Sequence, residues 1–308
     1  MSIDELTKFW PLIHVIIREI WGITEPRIEN AAIEKNIPLE LYLYSELGLD
    51  EFSVEDFQQR DPFSNPDQFR KMFAQFAVKG WSTTRHGGYY GISRQGSAAL
   101  REIIQAGDDE LSGFDGMADD ELKTIVDVLK RITFLNLEAA EPPKKWAIVR
   151  RFRTAHDQSP LLPRIRELLL DLYAYRDDSH LSAARPYFGD AGIVWNAFSS
   201  VCDGQAVTAE QIAEQMSFRG FDVADYRAAL RAAVGAGWLE ETESVGIYQP
   251  TVRGRGMHDE VVNLTDEYFY RPWAALKADE LDKLYSLLII LRDQLTLYAK
   301  TKPGDSRF

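Results

Sequence analysis

The chain has 308 residues, of which 45% are hydrophobic and 12% aromatic, and this composition excludes an intrinsically disordered protein. It contains 35 Lys and Arg and 48 Asp and Glu, which gives a net charge of −13. This acidic total disfavours a protein that neutralises many phosphates over its whole surface. The single cysteine, Cys202, excludes an intramolecular disulfide and a thiolate zinc cluster. With no basic-apolar leader and no apolar run of about 20 residues, the sequence predicts a cytoplasmic protein without a membrane segment.

An amphipathic helix is predicted at the N-terminus, over residues Ile3–Trp21. Its apolar side chains recur at helical spacing along one stripe. They are Leu6, Phe9, Ile13, Ile16, Ile17 and Ile20. We expect this helix to pack against a long helix near the other end of the chain, Asp279–Tyr298.

Residues 53–96 have the pattern of a helix, a turn, a second helix, a β-hairpin and a third helix. Ser53 is a good N-cap for the first helix, and Glu55 supplies the acid that a helix N-terminus favours. The second helix, Pro66–Val78, is expected to stop at Gly80, because glycine tolerates the left-handed cap conformation. The hairpin pairs Trp81–Thr84 with Tyr89–Ile92, and Ser93 begins the third helix.

The same order returns in residues 208–254, and the two stretches are called the first copy and the second copy. The matching positions are Ser53 and Thr208, Gly80-Trp81 and Gly237-Trp238, Tyr90 and Tyr248, Ser93 and Thr251, Gly96 and Gly254, and, further on, Asp120-Glu121-Leu122 and Asp279-Glu280-Leu281. The offset drifts by only a few residues, as loop insertions would produce. Agreement at several sites in the same order indicates an internal repeat.

The repeat resembles the MarR group of winged-helix regulators. In that family the second wing strand enters the next helix through a Tyr-x-Leu-Thr-x-x-Gly-like stretch, matched here by Tyr248–Gly254 and more loosely by Tyr90–Gly96. The resemblance implies a mainly α fold with two winged helix-turn-helix domains and small β-hairpin wings. Since MarR proteins are homodimers, it implies a fused pseudo-dimer that is a monomer or a homodimer. The predicted domains are 1–140, a helical linker 141–180, and 181–308.

Double-stranded DNA is the partner that this fold suggests, with the second helix in the major groove and the wing on the backbone. The first copy offers a cluster of basic side chains for phosphate contact, namely Arg70, Lys71, Lys79, Arg85 and His86. The second copy offers Arg219, Arg227 and Arg231, but its wing carries Glu240, Glu241 and Glu243. DNA contact is therefore expected mainly through the first copy. A basic run, 144–153, is either a further phosphate-contacting element or a solvated helix face whose cations pair with neighbouring acids.

A second resemblance concerns residues 175–184 and 260–273, which are similar to the SalK-type helix-turn-helix family. It implies the location of a ligand-binding site. The residues concerned are Arg176, Asp178, His180, Asp266 and Trp273. From the residues themselves, the segment Arg176–His180 is a polar ligand clamp, or a site in which a carboxylate orients His180 as a base. The alternative is an interdomain ion-pair network where a linker helix, Arg164–Tyr175, ends.

Two groups of aromatic residues allow a further role. They are Tyr268, Phe269, Tyr270 and Trp273, and Trp10, Trp21, Tyr42 and Tyr44. Helices near the dimer interface of MarR-like proteins form a pocket for aromatic effectors, so the resemblance implies a small aromatic effector. The side chains themselves fit ordinary core packing equally well.

Motifs for metal, cofactor or covalent chemistry are not found in the sequence. The five histidines are scattered, no glycine-rich phosphate loop occurs, and Cys202 lies among apolar residues, as a small buried side chain would. Three hypotheses follow: a MarR-like transcriptional regulator or effector sensor; a non-enzymatic interaction or ligand-binding protein that keeps the fold without DNA binding; and an accessory protein or enzyme of specialised metabolism that uses Arg176, Asp178 and His180.

Overall fold

A computed structural model of the protein describes residues 2–41, 51–151, 153, 155 and 157–301. Tyr42 and Tyr44 lie outside the described residues. The fold is mainly helical with two small antiparallel sheets, which confirms that part of the predicted fold class. In the part of the chain that is described, no helix is both long enough and apolar enough to cross a bilayer.

The helices and strands are named in chain order. The helices are α1 Ile3–Leu6, α2 Phe9–Glu34, α3 Val54–Arg60, α4 Pro66–Val78, α5 Arg94–Ser112, α6 Asp119–Glu138, α7 Trp146–Arg150, α8 Leu161–Phe188, α9 Gly192–Cys202, α10 Ala209–Gln215, α11 Val223–Gly235, α12 Val252–Tyr270 and α13 Ala278–Thr301. The strands are β1 Ser82–Thr84, β2 Tyr90–Ile92, β3 Leu239–Glu241 and β4 Tyr248–Pro250. Short 3₁₀ turns occupy His86–Gly88, Ser217–Arg219 and Arg271–Ala275.

The chain forms two compact units that are not its sequence halves. The first, called the helical unit, contains the described residues of 1–50, 92–177 and 266–308; the second, called the paired unit, contains 51–91 and 178–265. The helix–helix–hairpin parts of both copies thus belong to one unit. The predicted limits at residues 140 and 180 follow the order of the chain, and the compact units do not coincide with them.

The helical unit is built on the N-terminal and C-terminal helices. Phe9 of α2 packs against Tyr285 of α13, with ring centroids 5.1 Å apart, and against Trp273 at 5.2 Å. The stripe residues Ile13 and Ile16 are fully buried in the same core. The predicted packing of these two helices is confirmed, although α2 continues past Trp21 to Glu34.

Local signals of the repeat form the structures that the sequence predicts. Ser53 Oγ accepts a hydrogen bond from Asp56 N at 3.1 Å, and Thr208 Oγ1 accepts one from Gln211 N at 3.2 Å. Past the ends of α4 and α11, Gly80 and Gly237 take φ values of 79° and 73°. These are left-handed conformations in which other residues are strained, so the two glycines end the helices as predicted.

The repeated Ser/Thr-x-x-Gly motif has two structural roles. Ser93 Oγ and Thr251 Oγ1 each accept a 2.9 Å hydrogen bond from the backbone nitrogen of the glycine three residues later, which caps α5 and α12. At Gly254 the helix also lies against the preceding strand, where a Cβ would stand 2.0 Å from the Trp238 carbonyl oxygen. In the second copy the motif therefore combines a helix cap with a close backbone approach.

Candidate binding surfaces

The basic residues predicted to contact DNA all lie on the surface of the first copy. Arg70, Lys71 and Lys79 are exposed on and just after α4, and Arg85 and His86 are exposed in the hairpin turn. Arg70 forms an ion pair with Asp67, and Arg85 lies 3.7 Å from Glu51. Lys71 and Lys79 have no ion-pair partner among the described residues. The first copy therefore presents an accessible but partly neutralised set of cations.

The corresponding surface of the second copy is acidic. Glu240 and Glu241 are exposed on β3 and Glu243 is exposed in the hairpin turn. Arg227 is neutralised by Glu210 at 2.5 Å. The paired unit as a whole contains 17 Asp and Glu and 11 Lys and Arg. A phosphate backbone near this unit meets a net negative charge.

Three hydrogen bonds join the first turn of α4 to the turn that precedes α11. Asn65 N donates to Arg219 O at 2.8 Å, and Asn65 Nδ2 donates to Gly220 O at 3.0 Å. Gln68 Nε2 donates to Phe218 O at 3.0 Å. We call this contact between segments 61–68 and 217–220 the junction. It directly links the two copies within the paired unit.

Side chains close around the junction. Arg219 Nη1 lies 2.9 Å from Asp61 Oδ1, and its guanidinium stacks 5.3 Å from the Phe63 ring centroid. Gly220 has a φ of 73°, and a Cβ there would stand 2.1 Å from Gln68 Oε1. Arg219, one of the basic residues that the second copy offers, therefore has a partly buried carboxylate and an aromatic ring of the first copy as partners.

Three of the five predicted ligand-binding residues lie around Phe269 in the helical unit. Arg176 Nη2 lies 2.8 Å from Asp266 Oδ1, and the guanidinium is 4.6 Å from the Trp10 ring centroid and 5.2 Å from that of Phe269. Trp273 is fully buried, with its ring 5.6 Å from Phe269. Arg176 Nη1 and Trp273 Nε1 are buried and have no hydrogen-bond partner among the described residues. These two N–H groups are able to donate hydrogen bonds to a ligand, and the ligand-binding role stays a prediction.

Asp178 and His180, the other two predicted ligand-binding residues, belong to the paired unit. Asp178 is 3% exposed, and the His180 Nδ1 lies 3.5 Å from Thr265 Oγ1. The helix α8 that carries them runs without interruption to Phe188, so the prediction that the linker helix ends at Tyr175 is wrong. The physical reason is that the polar residues after Tyr175 are compatible with a helix. The first residue beyond Tyr175 with a left-handed conformation is Gly189, whose φ is 55°.

Much of the basic run 144–153 is directed into the protein. Lys145 Nζ donates to Leu137 O at 2.7 Å and to Asn136 O at 3.0 Å, where it caps the C-terminal end of α6. The side chain of Arg151 is 1% exposed and pairs with Asp171 at 2.8 Å and with Glu167. Arg151 therefore pairs with neighbouring acids, as one of the two interpretations expects, but it does so in the interior and not on a solvated face, and Lys145 is held by backbone carbonyls.

Arg151 belongs to a buried network of opposite charges in the helical unit. Arg166 pairs with Asp108 and with Glu167, and all three side chains are nearly inaccessible. Burial tends to raise the pKa of Glu167, but the guanidiniums of Arg151 and Arg166 outweigh it and leave that pKa below its ordinary value. Burial dominates at Asp108 and raises its pKa. The network therefore depends on its arginines to keep Glu167 charged.

We expect Cys202 to be unreactive in the folded protein. The residue is 6% exposed, and burial raises the pKa of its thiol to about 12, so the nucleophilic thiolate is scarce at neutral pH. Iodoacetamide should therefore label native protein far more slowly than protein unfolded in urea, as measured by intact mass. Labelling at the same rate in both states would contradict the buried position.

Comparison with known proteins gives no match: no protein family matches the chain, and no curated protein or solved structure is significantly similar to it.

Proposed function

We propose that the protein is a winged-helix protein of the MarR-like kind that binds a ligand or a partner protein and does not read DNA. The repeated order of helix, helix, hairpin and helix supports the winged-helix assignment. The glycine-ended second helix and the Ser/Thr-x-x-Gly entry to the third helix occur in both copies. The absence of DNA reading is inferred from the junction and from the charge of the paired unit.

The junction is the observation that carries this proposal. In helix-turn-helix proteins the N-terminal residues of the second helix contact base edges, and the two half-sites of a dimer lie about 34 Å apart. Here Asn65, the N-cap of α4, donates hydrogen bonds from both its backbone N–H and its side-chain amide to backbone carbonyls of the second copy. A second helix whose N-terminal end is hydrogen-bonded to the other copy does not suit two half-sites separated by one turn of DNA.

Electrostatics support the same conclusion. Non-specific DNA affinity comes from cations that neutralise phosphates and release counterions. The excess of acids in the paired unit, and the three glutamates of the second hairpin, work against this release. The paired unit also contains exposed cations without an ion-pair partner among the described residues, such as Lys71 and Lys79 of the first copy and Arg231 of the second copy, but they are too few to offset the excess of acids.

Binding of a fluorescent random-sequence DNA duplex, measured by anisotropy at salt concentrations from about 50 to 200 mM, tests the proposal. We expect no saturable binding even at the lowest salt. Tight binding with a steep inverse dependence on salt would overturn it.

A second candidate function, a MarR-like regulator that contacts DNA through the first copy, is favoured by the exposed Lys71 and Lys79. It predicts binding whose salt slope falls by about one unit when Lys79→Ala removes one phosphate contact. Lys283→Ala is the control, because Lys283 lies on α13 in the helical unit. The same titration therefore separates the two functions.

A further inference from the structure

A cavity of about 320 Å³ lies in the paired unit, beside α3 and the C-terminal end of α8. The first copy contributes Val54, Glu55, Pro62 and Pro66 to its wall, and the segment before the second copy contributes Arg185 and Asp190. The volume falls at the lower end of the range of about 300–1,000 Å³ for small-molecule sites. Its walls combine apolar groups with charges of both signs.

Arg185 is the most distinctive group in the cavity. Its Nη2 donates to Gln59 O at 3.0 Å, and its guanidinium lies 5.8 Å from the Phe188 ring centroid, so its position is held from two sides. It forms no ion pair with any described carboxylate. Burial lowers the pKa of the guanidinium, and Asp190 opposes this only through a longer-range attraction. A partly desolvated cation with free N–H donors is suited to bind a carboxylate in bidentate geometry.

Two carboxylates of the same cavity are also available. Glu55 in the first turn of α3 and Asp190 after α8 are both exposed, and neither is ion-paired to a described residue. Val54, Pro62 and Pro66 supply apolar surface beside them. Arg70 also lines the cavity, but it is paired with Asp67. A phosphate or another dianion would meet repulsion from the two unpaired acids, whereas an ammonium group would be attracted to them.

We propose that this cavity binds a small zwitterion with an apolar body, of the size of an α-amino acid or a dipeptide. Its carboxylate pairs with Arg185, and its ammonium group is held by Glu55 and Asp190. This inference rests on the proposed ligand-binding function and names the chemical class of the ligand. Because the cavity has walls from the first copy and from the end of α8, the ligand stabilises the folded paired unit when it binds.

Titration calorimetry of the full chain tests the proposal, with an equimolar mixture of the twenty L-amino acids and a mixture of L-alanyl dipeptides as probes. We expect saturable binding of at least one mixture, and a rise in melting temperature with the same mixture. Single components then identify the tightest probe. Its amide, which lacks the carboxylate, and its N-acetyl derivative, which lacks the ammonium group, should each bind roughly tenfold or more weakly, because each loses a charged hydrogen-bonding group.

Variants locate the site. Arg185→Gln should weaken binding of the tightest probe roughly tenfold or more, and the double variant Glu55→Gln and Asp190→Asn should do the same. The double variant changes only exposed side chains, so it keeps the test valid if Arg185→Gln does not fold. Arg231→Gln, an exposed arginine of α11, should bind as the wild type does.

Lack of saturable binding by both mixtures, or binding that these variants leave unchanged, would overturn the zwitterion site. A failure of this kind differs from a failure of the proposed function, which would appear as salt-dependent binding of duplex DNA. The two experiments use different probes and give independent answers.

Discussion

Replacing Arg151 with methionine is expected to lower the free energy of unfolding by about 3–5 kcal/mol, because it removes one of the two guanidiniums that pair with each of the buried carboxylates of Glu167 and Asp171. Methionine keeps much of the apolar stem and removes the guanidinium that binds Glu167 and Asp171. Urea unfolding followed by circular dichroism measures the loss. Lys144→Met, an exposed change in the same basic run, is the control and should alter stability by no more than about 0.5 kcal/mol.

Acidification provides a second check on the Arg151→Met variant. In the wild type the lowered pKa of Glu167 gives stability that is present above its unfolded pKa and is lost as the pH falls through the folded pKa. Without Arg151 only Arg166 opposes the effect of burial, so the pKa of Glu167 in the folded variant lies above its value in the folded wild type. The deficit of the variant should therefore shrink as the pH falls below about 4.5, the ordinary value for glutamate. A deficit that is small at neutral pH, or that grows on acidification, would contradict the network.

Gly254→Ala is expected to destabilise the protein by about 2–4 kcal/mol, because its methyl group would overlap a backbone atom that cannot easily move. The Cβ would stand 2.0 Å from the Trp238 carbonyl oxygen and 3.2 Å from Phe198 Cε2. Urea unfolding again gives the measurement. The effect tests the close approach that the repeated Ser/Thr-x-x-Gly motif creates in the second copy.

Gly256→Ala is the matched control for this substitution, two residues further along α12. No heavy atom lies within 4 Å of the Cβ that it would add. Since alanine favours a helix over glycine, this variant should be more stable than the wild type by about 0.5–1 kcal/mol. Equal effects of the two substitutions would mean that Gly254 is not in close contact with Trp238.

The local structure of both copies could be predicted from the sequence because its causes lie within a few residues. Ser53 and Thr208 cap helices through backbone groups three residues away. Gly80 and Gly237 end helices through their own left-handed conformation. Hydrophobic spacing also predicted the contact between the terminal helices, since only one stripe of α2 is strongly apolar.

The junction could not be predicted, because its hydrogen bonds join residues about 150 positions apart. Asn65 and Gln68 bind backbone carbonyls of residues 218–220, and carbonyl groups carry no sequence signature. The repeat indicated two similar copies, and it contained no information on whether they touch. The grouping of both copies in one compact unit therefore emerged only from the structure.

The candidate sites were predicted unevenly for a related reason. The pairing of Arg176 with Asp266 agrees with their joint assignment from the second resemblance. The partners of Arg151 and Lys145 could not be predicted, because the sequence does not show whether a basic residue contacts water, a backbone carbonyl or a buried carboxylate. Arg185 was missed because it is isolated in the sequence, and only the fold brings Glu55 and Asp190 to the same cavity.

Hydrogen exchange of the Asn65 backbone amide, resolved by NMR, tests the junction most directly. The first N–H groups of a helix have no partner within it and ordinarily exchange fast. Asn65 N donates to Arg219 O across the junction, so its exchange should be slowed about 100-fold or more relative to an unprotected amide. Val245, a residue that is 93% exposed, provides the reference amide. Exchange of Asn65 as fast as that of Val245 would show that the two copies are not joined there.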